Sequence, residues 1–278
     1  MIPQKFLLQA VACICVGAVS LTGSKQALSR QDSLSRSEAM LAAAKEIAVS
    51  DGLRIRQIAD DALVPDCTCV AVDVDHGRVV ASGPGYVREL LDTNSDGVFE
   101  ETRTIVAAPA HGAHGLCFDR GALYYVGDNG VWKVGAPFDA DDAAKKAVRV
   151  LSIKTGGEHD AHALRRGSDG SWYLIAGNGT KGMFDLQNAA NPSIPHPRAG
   201  VIWKISSDWS TREVWAHGFR NAYDFDFAPD EAIDTFDSDG ERDVSLPWYR
   251  PTRVFRVRQG DDAGWISRSW KRPNTDPQ

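Results

Sequence analysis

Two similar stretches of sequence indicate the fold: HGAHGLCFDRGALYYVGDN at residues 111–129 and HDAHALRRGSDGSWYLIAGN at residues 159–178. Each begins with His-x-Ala-His-x-Leu, continues through a turn into an aromatic strand, and ends with Gly-Asp or Gly-Asn. The offset between His111 and His159 matches the roughly 40–50 residues of one propeller blade. The repeat therefore predicts a β-propeller, in which small antiparallel sheets surround a central channel.

Short β-rich runs recur from Gly52 to the end of the chain, separated by Gly, Asp, Asn and Pro. Several of them alternate polar and apolar residues, as half-buried antiparallel strands do. The runs are residues 53–58, 69–74, 78–81, 122–126, 131–134, 148–153, 171–175, 201–205, 212–215 and 252–257. We therefore expect an all-β domain over residues 52–278 with roughly four or five blades. We expect the complete ring to have six blades, so the ring is expected to be incomplete in this chain.

The N-terminus has the pattern of an export signal. Lys5 is followed by an apolar run over residues 6–21 and then by small residues, which predicts a secretory signal peptide over residues 1–23. The alternative is an uncleaved anchor, but a spanning helix needs roughly 20 apolar residues. We expect a periplasmic or extracellular protein with no membrane span after cleavage.

Residues 24–51 follow as a linker that contains one short helix. The segment 24–34 is rich in Ser and Gln, and the capping box Ser35-Arg-Ser-Glu38 precedes a run of Ala and Leu. The linker is expected to end at Gly52, where the strand-rich texture begins.

Charge and cysteine content exclude several functions. The net charge of −6 argues against nucleic acid as a partner, which would require clustered Lys and Arg, and is compatible with a small neutral substrate or bound cations. Cys117 could form a disulfide with Cys67 or Cys69 after export, although three buried thiols are an equally good interpretation. No Cys-x-x-Cys-His occurs, so the chain has no motif for c-type haem attachment.

The repeated histidines are candidate catalytic groups. Residues at the start of a blade's inner strand face the channel, where a neutral imidazole can act as a general base. We assign this role to His159 and His162. For His111 and His114 we expect hydrogen bonds between blades instead.

A second candidate site is Arg220-Asn221, which follows a glycine in the segment 217–224. A guanidinium forms bidentate hydrogen bonds with carboxylates, and an amide offers both a donor and an acceptor, as a quinone or carboxylate ligand requires. The alternative is a surface arginine beside an asparagine turn.

Two acidic segments are candidate metal sites. Asp92, Asn94 and Asp96 match the first part of a calcium loop, although the twelfth position is Arg103 and no helices flank it, so an EF-hand is not expected. A solvated turn is the alternative. Asp237, Asp239 and Glu241 form the second cluster, whose mutual repulsion requires a cation or solvent. The Trp and Tyr in residues 247–250 could then line a sugar-sized pocket.

The order of these motifs from His159 to Trp265 resembles the glucose/sorbosone dehydrogenase propellers, which use pyrroloquinoline quinone (PQQ). The shared features are the His before Asp169-Gly170, Gly177-Asn178, the GVIWK strand at residues 200–204, the segment 218–221, an acidic loop and Gly264-Trp265. Over nearly the whole mature chain, the sequence is most similar to the membrane-bound dehydrogenase-type propellers of planctomycetes, above all in residues 218–221 and 247–253.

This resemblance implies a dehydrogenase that oxidises a sugar or alcohol. His159 would accept the hydroxyl proton, with His162 as its substitute, Arg220 and Asn221 would hold PQQ, and calcium would polarise the quinone. An electron acceptor or further C-terminal blades would be its partners. The family has Asp-Glu-Ile-Asn where this chain has residues 251–254 (PTRV), and its further cationic quinone ligands lie on later blades.

Those departures favour a rival hypothesis, a non-catalytic propeller that is stabilised by calcium and binds glycan or protein. A third hypothesis is a calcium-dependent propeller hydrolase such as a lactonase, which would require carboxylate and Asn ligands at the channel axis.

Overall fold

The computed structural model describes residues 48, 50–53, 55–135, 147–238 and 251–265. These residues form strands in four antiparallel sheets and one 3₁₀ helix, Asn178–Leu186. The strands are β1 Cys69–Asp73, β2 Arg78–Gly83, β3 Tyr86–Leu91, β4 Glu101–Val106, β5 Gly115–Asp119, β6 Ala122–Gly127, β7 Gly130–Val134, β8 Ala147–Ser152, β9 Ala161–Arg166, β10 Trp172–Ala176, β11 Gly200–Ile205, β12 Arg212–Phe219, β13 Phe225–Phe227, β14 Ile233–Asp237 and β15 Arg253–Val257.

Each sheet consists of strands that are consecutive in the chain, which is the topology of a propeller blade. The first three blades are β1–β4, β5–β8 and β9–β12, and the fourth has β13–β15. The first strands β1, β5 and β9 lie side by side. The Ala163 amide of β9 also donates to the Tyr223 carbonyl, at 3.3 Å, just before β13. These first strands therefore line the channel, and the predicted propeller is confirmed.

Four blades are present in the described residues, rather than the six of a complete ring of the expected type. The expected signal peptide and the helix after Ser35 lie outside the described residues. The strand expected at residues 53–58 is wrong: the described positions there form no strand, and Ile58 accepts a single backbone hydrogen bond, from Phe99. The segment precedes the first hairpin and has no partner strand.

Tight hairpins explain why neighbouring strands pair antiparallel. Asp128 and Asn129 connect β6 to β7, with φ of 46° and 55°. Two successive positive φ values define a type I′ turn, whose twist matches that of the flanking strands and which Asn and Asp tolerate. Blade formation is therefore encoded locally.

The hydrophobic core lies between blades rather than within them. Val126 and Leu151 of the second blade pack in one cluster with Leu174 and Trp203 of the third. Similar clusters join the first blade to the second and the third to the fourth. Burial of each such side chain contributes about 1.5–3 kcal/mol, so contact with the next blade is what stabilises each sheet.

No helix among the described residues has the length and apolar character needed to cross a membrane.

Candidate functional site

The histidines of the two repeats gather at one end of the channel, which we call the histidine rim: His114, His159 and His162. His114 directly precedes β5, His159 precedes β9, and His162 lies within β9. The segment 177–179 after β10 closes this rim, because the amides of Gly177 and Gly179 donate to the carbonyls of Asp160 and His159.

Gly177 permits this close approach. A Cβ atom at this position would lie 2.5 Å from Asn221 Oδ1 and 2.7 Å from the His159 carbonyl oxygen. Both distances are shorter than van der Waals contact allows, so a side chain here would push the third blade's two functional segments apart.

His159 is held in one tautomer. Its Nδ1 lies 2.7 Å from Asn178 Oδ1, and its side chain is 20% exposed. Because an amide oxygen only accepts hydrogen bonds, Nδ1 carries the proton and Nε2 keeps a lone pair. The exposed carboxylate of Glu158 lies 3.8 Å from Nε2. Asn178 was not assigned a role from the sequence, where it ended the repeat and was part of the family resemblance.

His162 lies in a different environment, since it is completely buried. Its Nε2 donates to Asn221 Oδ1 at 2.8 Å, while Nδ1 is buried without a hydrogen-bond partner. Burial lowers the pKa of this imidazole to about 4, so the ring is neutral at pH 7. A neutral, buried His162 therefore orients the Asn221 amide.

His114 stacks on His162 with ring centroids 5.4 Å apart and an angle of 18° between the planes. The Tyr223 ring lies 4.5 Å from that of His162 and completes the cluster. Burial also lowers the pKa of His114, whose Nδ1 has no hydrogen-bond partner. We expected the His114 side chain to form hydrogen bonds between blades. Its ring instead packs against that of His162. His111 is exposed.

Asp160 is a buried carboxylate that sequence reasoning missed. It is 2% exposed, and its oxygens bind Lys154 Nζ at 2.9 Å and the Gly157 amide at 2.8 Å. The sequence contained one indication of this residue: Asp160 occupies the position in the second repeat that Gly112 occupies in the first. The Asp160–Lys154 ion pair therefore lies beside the histidine rim.

Arg220 and Asn221 lie just after β12, next to the rim. Their backbone amides donate to the two oxygens of Asp237, at 2.6 and 2.8 Å, and Arg220 Nη1 donates to Ser238 Oγ at 2.9 Å. Burial raises the pKa of Asp237 despite these hydrogen bonds. Asp237 thus holds the Arg-Asn segment in place. Asp239 and Glu241, the other predicted ligands of this cluster, lie outside the described residues.

The loop between β3 and β4 brings acidic oxygens together. Oxygens of Asp92, Asp96 and Glu100 lie within 4.8 Å of one another. Asp92 accepts the Gly97 amide at 2.8 Å, and Asn94 Oδ1 accepts the Asp96 amide at 2.8 Å. Glu100 was not among the ligands predicted from the sequence. Three convergent carboxylates in a hydrogen-bonded loop fit the hard-oxygen chemistry of Ca²⁺.

Further along the channel, Arg165 Nη2 binds both oxygens of Asp224, at 2.8 and 3.1 Å. Cys67, Cys69 and Cys117 are free thiols, so the interpretation without a disulfide agrees with the structure. Burial raises the pKa of Cys69 and of Cys117 to about 11. These two thiols are therefore poor nucleophiles.

No family model matches the chain, and no curated protein matches it either. Solved structures do share its fold. The PQQ-bound aldose sugar dehydrogenase of Streptomyces coelicolor has 13% identity and a TM-score of 0.56, over 78% of this chain and 66% of the other. An AA12 carbohydrate-active enzyme of Trichoderma reesei, in a calcium structure, has 15% identity and a TM-score of 0.57, over 78% and 58%.

The PQQ domain of a pyranose dehydrogenase from Coprinopsis cinerea has 12% identity and a TM-score of 0.52, over 77% of this chain and 55% of that domain. The chain therefore spans less than two thirds of the length of these proteins. At these identities the likeness establishes the propeller fold, which hosts many unrelated functions. The planctomycete subfamily is tested by none of these comparisons.

Proposed function

We propose that this chain is a PQQ-type dehydrogenase propeller that oxidises a sugar or alcohol in the periplasm or outside the cell. The observation that carries the proposal is the Asn178-oriented His159, whose Nε2 lone pair is available on a partly exposed ring at the channel end. A base held in one tautomer by an amide suits removal of a hydroxyl proton.

The donor chemistry around the rim fits PQQ, which combines a quinone with carboxylates. Arg220 supplies positive charge, and Lys154, which is paired with Asp160, supplies N–H groups. Asn221 supplies its amide N–H groups, since its oxygen accepts from His162. Bound PQQ would supply the acceptor for the hydride that leaves the substrate carbon.

In this proposal His159 Nε2 takes the hydroxyl proton, and Asn178 stabilises the resulting imidazolium through Nδ1. His162, buried and neutral, is a positioning residue for Asn221 rather than a second base. Arg220 and Asn221 bind the cofactor, and Asp237 fixes their backbone. Calcium at the Asp92–Asn94–Asp96 loop is a structural ion in this scheme, and Asp239 and Glu241 remain predicted ligands with Asp237.

Reconstitution tests the proposal directly. The protein, incubated with PQQ and CaCl₂, is expected to reduce an artificial dye when sugars or alcohols are added. His159→Ala should lower kcat/KM by roughly 100- to 10,000-fold, the usual contribution of a general base. His111→Ala is the matched control, since it removes an exposed histidine of the other repeat and should retain activity. Absence of PQQ binding and of dye reduction by the folded protein would refute the assignment.

A second candidate is a non-catalytic propeller that binds glycan or protein and uses calcium structurally. The convergent oxygens of Asp92, Asp96 and Glu100 favour it, because a calcium ion bound there could stabilise the loop without any redox chemistry. It predicts ligand binding that survives both His159→Ala and Arg220→Ala, whereas the dehydrogenase proposal predicts loss of quinone-dependent activity in both.

A further inference from the structure

A separate cavity lies at the other end of the third and fourth blades. The strand β9 begins at the histidine rim and ends at Arg166, and the cavity is formed by the hairpin turns that follow β9 and β13. Its volume is about 570 Å³. This size is within the roughly 300–1,000 Å³ of small-molecule sites, and a junction between packed units is a common place for them.

Three aromatic residues form the apolar wall. Tyr173 contacts Trp215 and Phe227 edge to face, with ring centroids 5.7 and 5.0 Å apart. Tyr173 and Trp215 are almost completely buried, so these rings are fixed by the core between the blades. The wall is therefore fixed in place, and Phe227, which is only partly buried, provides most of its accessible aromatic surface.

The lining of the cavity has three carboxylates and two cationic side chains, and most of these charges are paired. Lys204 Nζ binds Asp169 Oδ2 at 2.8 Å, and Arg258 Nη2 binds Asp230 Oδ2 at 2.6 Å. Ser168 Oγ donates to Glu231 Oε1 at 2.7 Å. An anionic ligand would be repelled by the extra carboxylate, whereas a neutral one could use the remaining lone pairs and N–H groups.

Gly167 packs closely against both Tyr173 and Asp169. A Cβ atom there would lie 2.7 Å from Tyr173 Cε2 and 2.8 Å from Asp169 Oδ1. The aromatic ring and the carboxylate therefore stand directly beside each other, so that one ligand can contact an apolar and an acceptor surface at once.

We propose that this cavity, lined by Asp169, Tyr173, Lys204, Trp215, Phe227 and Asp230, is a binding site for a neutral carbohydrate. A sugar ring has C–H faces that pack on aromatic groups and hydroxyls that both donate and accept hydrogen bonds. The cavity supplies partners for both, and its one extra carboxylate, Glu231, disfavours an anionic ligand. The site is distinct from the histidine rim and does not depend on the function proposed for it.

The test uses the full chain and neutral probes. Isothermal titration calorimetry and saturation-transfer NMR are carried out with maltopentaose, cellopentaose and laminaripentaose, and with trigalacturonate as the charged probe. We expect millimolar or tighter binding of at least one neutral oligosaccharide and weaker binding of trigalacturonate. Preference for the charged probe, or no binding of any neutral one, would overturn the proposal.

Two variants locate the binding. Ser168→Trp places a bulky side chain at the exposed mouth of the cavity and should weaken binding at least ten-fold, equivalent to about 1.4 kcal/mol. Ser152→Trp, at an exposed position of β8, is the matched control and should bind as the wild type does. If Ser168→Trp does not fold, Gln259→Trp fills the same mouth and decides the question. Binding that survives the cavity-filling variant contradicts the site.

The two proposals can fail separately. Ser168→Trp should leave quinone-dependent dye reduction unchanged, because it lies at the far end of the blade, and His159→Ala should leave oligosaccharide binding unchanged.

Discussion

His159 and His162 are three residues apart, yet their imidazoles have opposite surroundings. His159 is partly exposed and donates through Nδ1, whereas His162 is buried and donates through Nε2. In each case an asparagine amide oxygen fixes the tautomer. The same residue type thus has an accessible lone pair in one position and a buried one in the other, and only the first is suited to proton transfer with a substrate.

The buried position of His162 makes stability depend on pH. Its folded pKa of about 4 is below the ordinary 6.5, so the unfolded chain binds more protons between these values and stability falls as pH drops from about 6.5 to about 4. The loss should be on the order of 3 kcal/mol. His162→Gln should flatten this part of the profile in urea unfolding measured at several pH values.

The exposed residue of the other repeat provides the control for this measurement. His111→Gln should keep the wild-type slope. Some slope will remain in His162→Gln, because burial lowers the pKa of His114 as well. An unchanged slope in His162→Gln would contradict the assigned environment.

Two neighbouring inner strands, β5 and β9, are in close backbone contact. A Cβ atom at Gly115 of β5 would lie 2.6 Å from the His162 carbonyl oxygen and 3.0 Å from Ala163 Cα of β9. Both neighbours are backbone atoms, which cannot turn aside as a flexible side chain can. This glycine therefore sets the spacing of the second and third blades around the channel.

Gly115→Ala should lower the free energy of unfolding by about 1–3 kcal/mol, the usual cost of overpacking. Urea unfolding followed by circular dichroism measures this change. Gly135→Ala is the control, since nothing lies within 4 Å of a Cβ atom there. Equal effects of the two substitutions would show that β5 and β9 are not in close contact.

The β3–β4 loop leads to a separate prediction. If Ca²⁺ binds Asp92, Asp96 and Glu100, calcium at 100 times its Kd should add about 2.7 kcal/mol of stability. At about 2–4 °C per kcal/mol for a domain of this size, Tm should rise by roughly 5–11 °C. Differential scanning calorimetry with and without EDTA provides the measurement.

Asp96→Asn should remove most of this shift. Asp75→Asn, at an exposed turn between β1 and β2, should keep it. A calcium shift of the same size in Asp96→Asn would exclude this loop as the binding site.

At the scale of the whole molecule, the fourth blade has two exposed apolar residues in the part of the chain that the structure describes. Phe236 of β14 and Val254 of β15 are paired across the fourth blade and are 49% and 85% exposed. In a propeller such a face normally packs on the next blade. The outward face of the fourth blade therefore has apolar side chains in contact with solvent.

We expect this pair to promote concentration-dependent association. The double variant Phe236→Thr/Val254→Thr should reduce association in sedimentation velocity and change the unfolding free energy by no more than about 0.5 kcal/mol, as is usual at exposed positions. Val148→Thr, at another exposed valine of the second blade, should have no effect on association. Equal association of all three proteins would contradict a role for this face.

Much of this architecture could be predicted from the sequence, because its signals are local. The His-x-Ala-His repeat gave the blade period. Asp128 and Asn129, which end the first repeat, form the turn between β6 and β7, but the sequence was not used to predict it. The strand expected at residues 53–58 failed because alternation alone does not provide a partner strand. The number of blades in a ring is likewise not a local property.

The site was predictable only in part, for the same physical reason. His159, Asn178 and Arg220 stand in recognisable motifs, but their pairing depends on the register of β9 with β10 and on the course of the chain after β12. The opposite environments of His159 and His162, the Asp160–Lys154 pair and the cavity beside Tyr173 arise from contacts between segments far apart in sequence. No short motif encodes them.

The course of the chain after β15 has a consequence for biosynthesis. Residues 260–265 run beside β12, where the His217 amide donates to Asp261 and the Trp265 amide donates to Gly218. The outer strand of the third blade is therefore completed by residues that leave the ribosome after most of the fourth blade. A nascent chain that ends before Trp265 would have a frayed third blade, so emergence of this segment should mark a step in cotranslational folding.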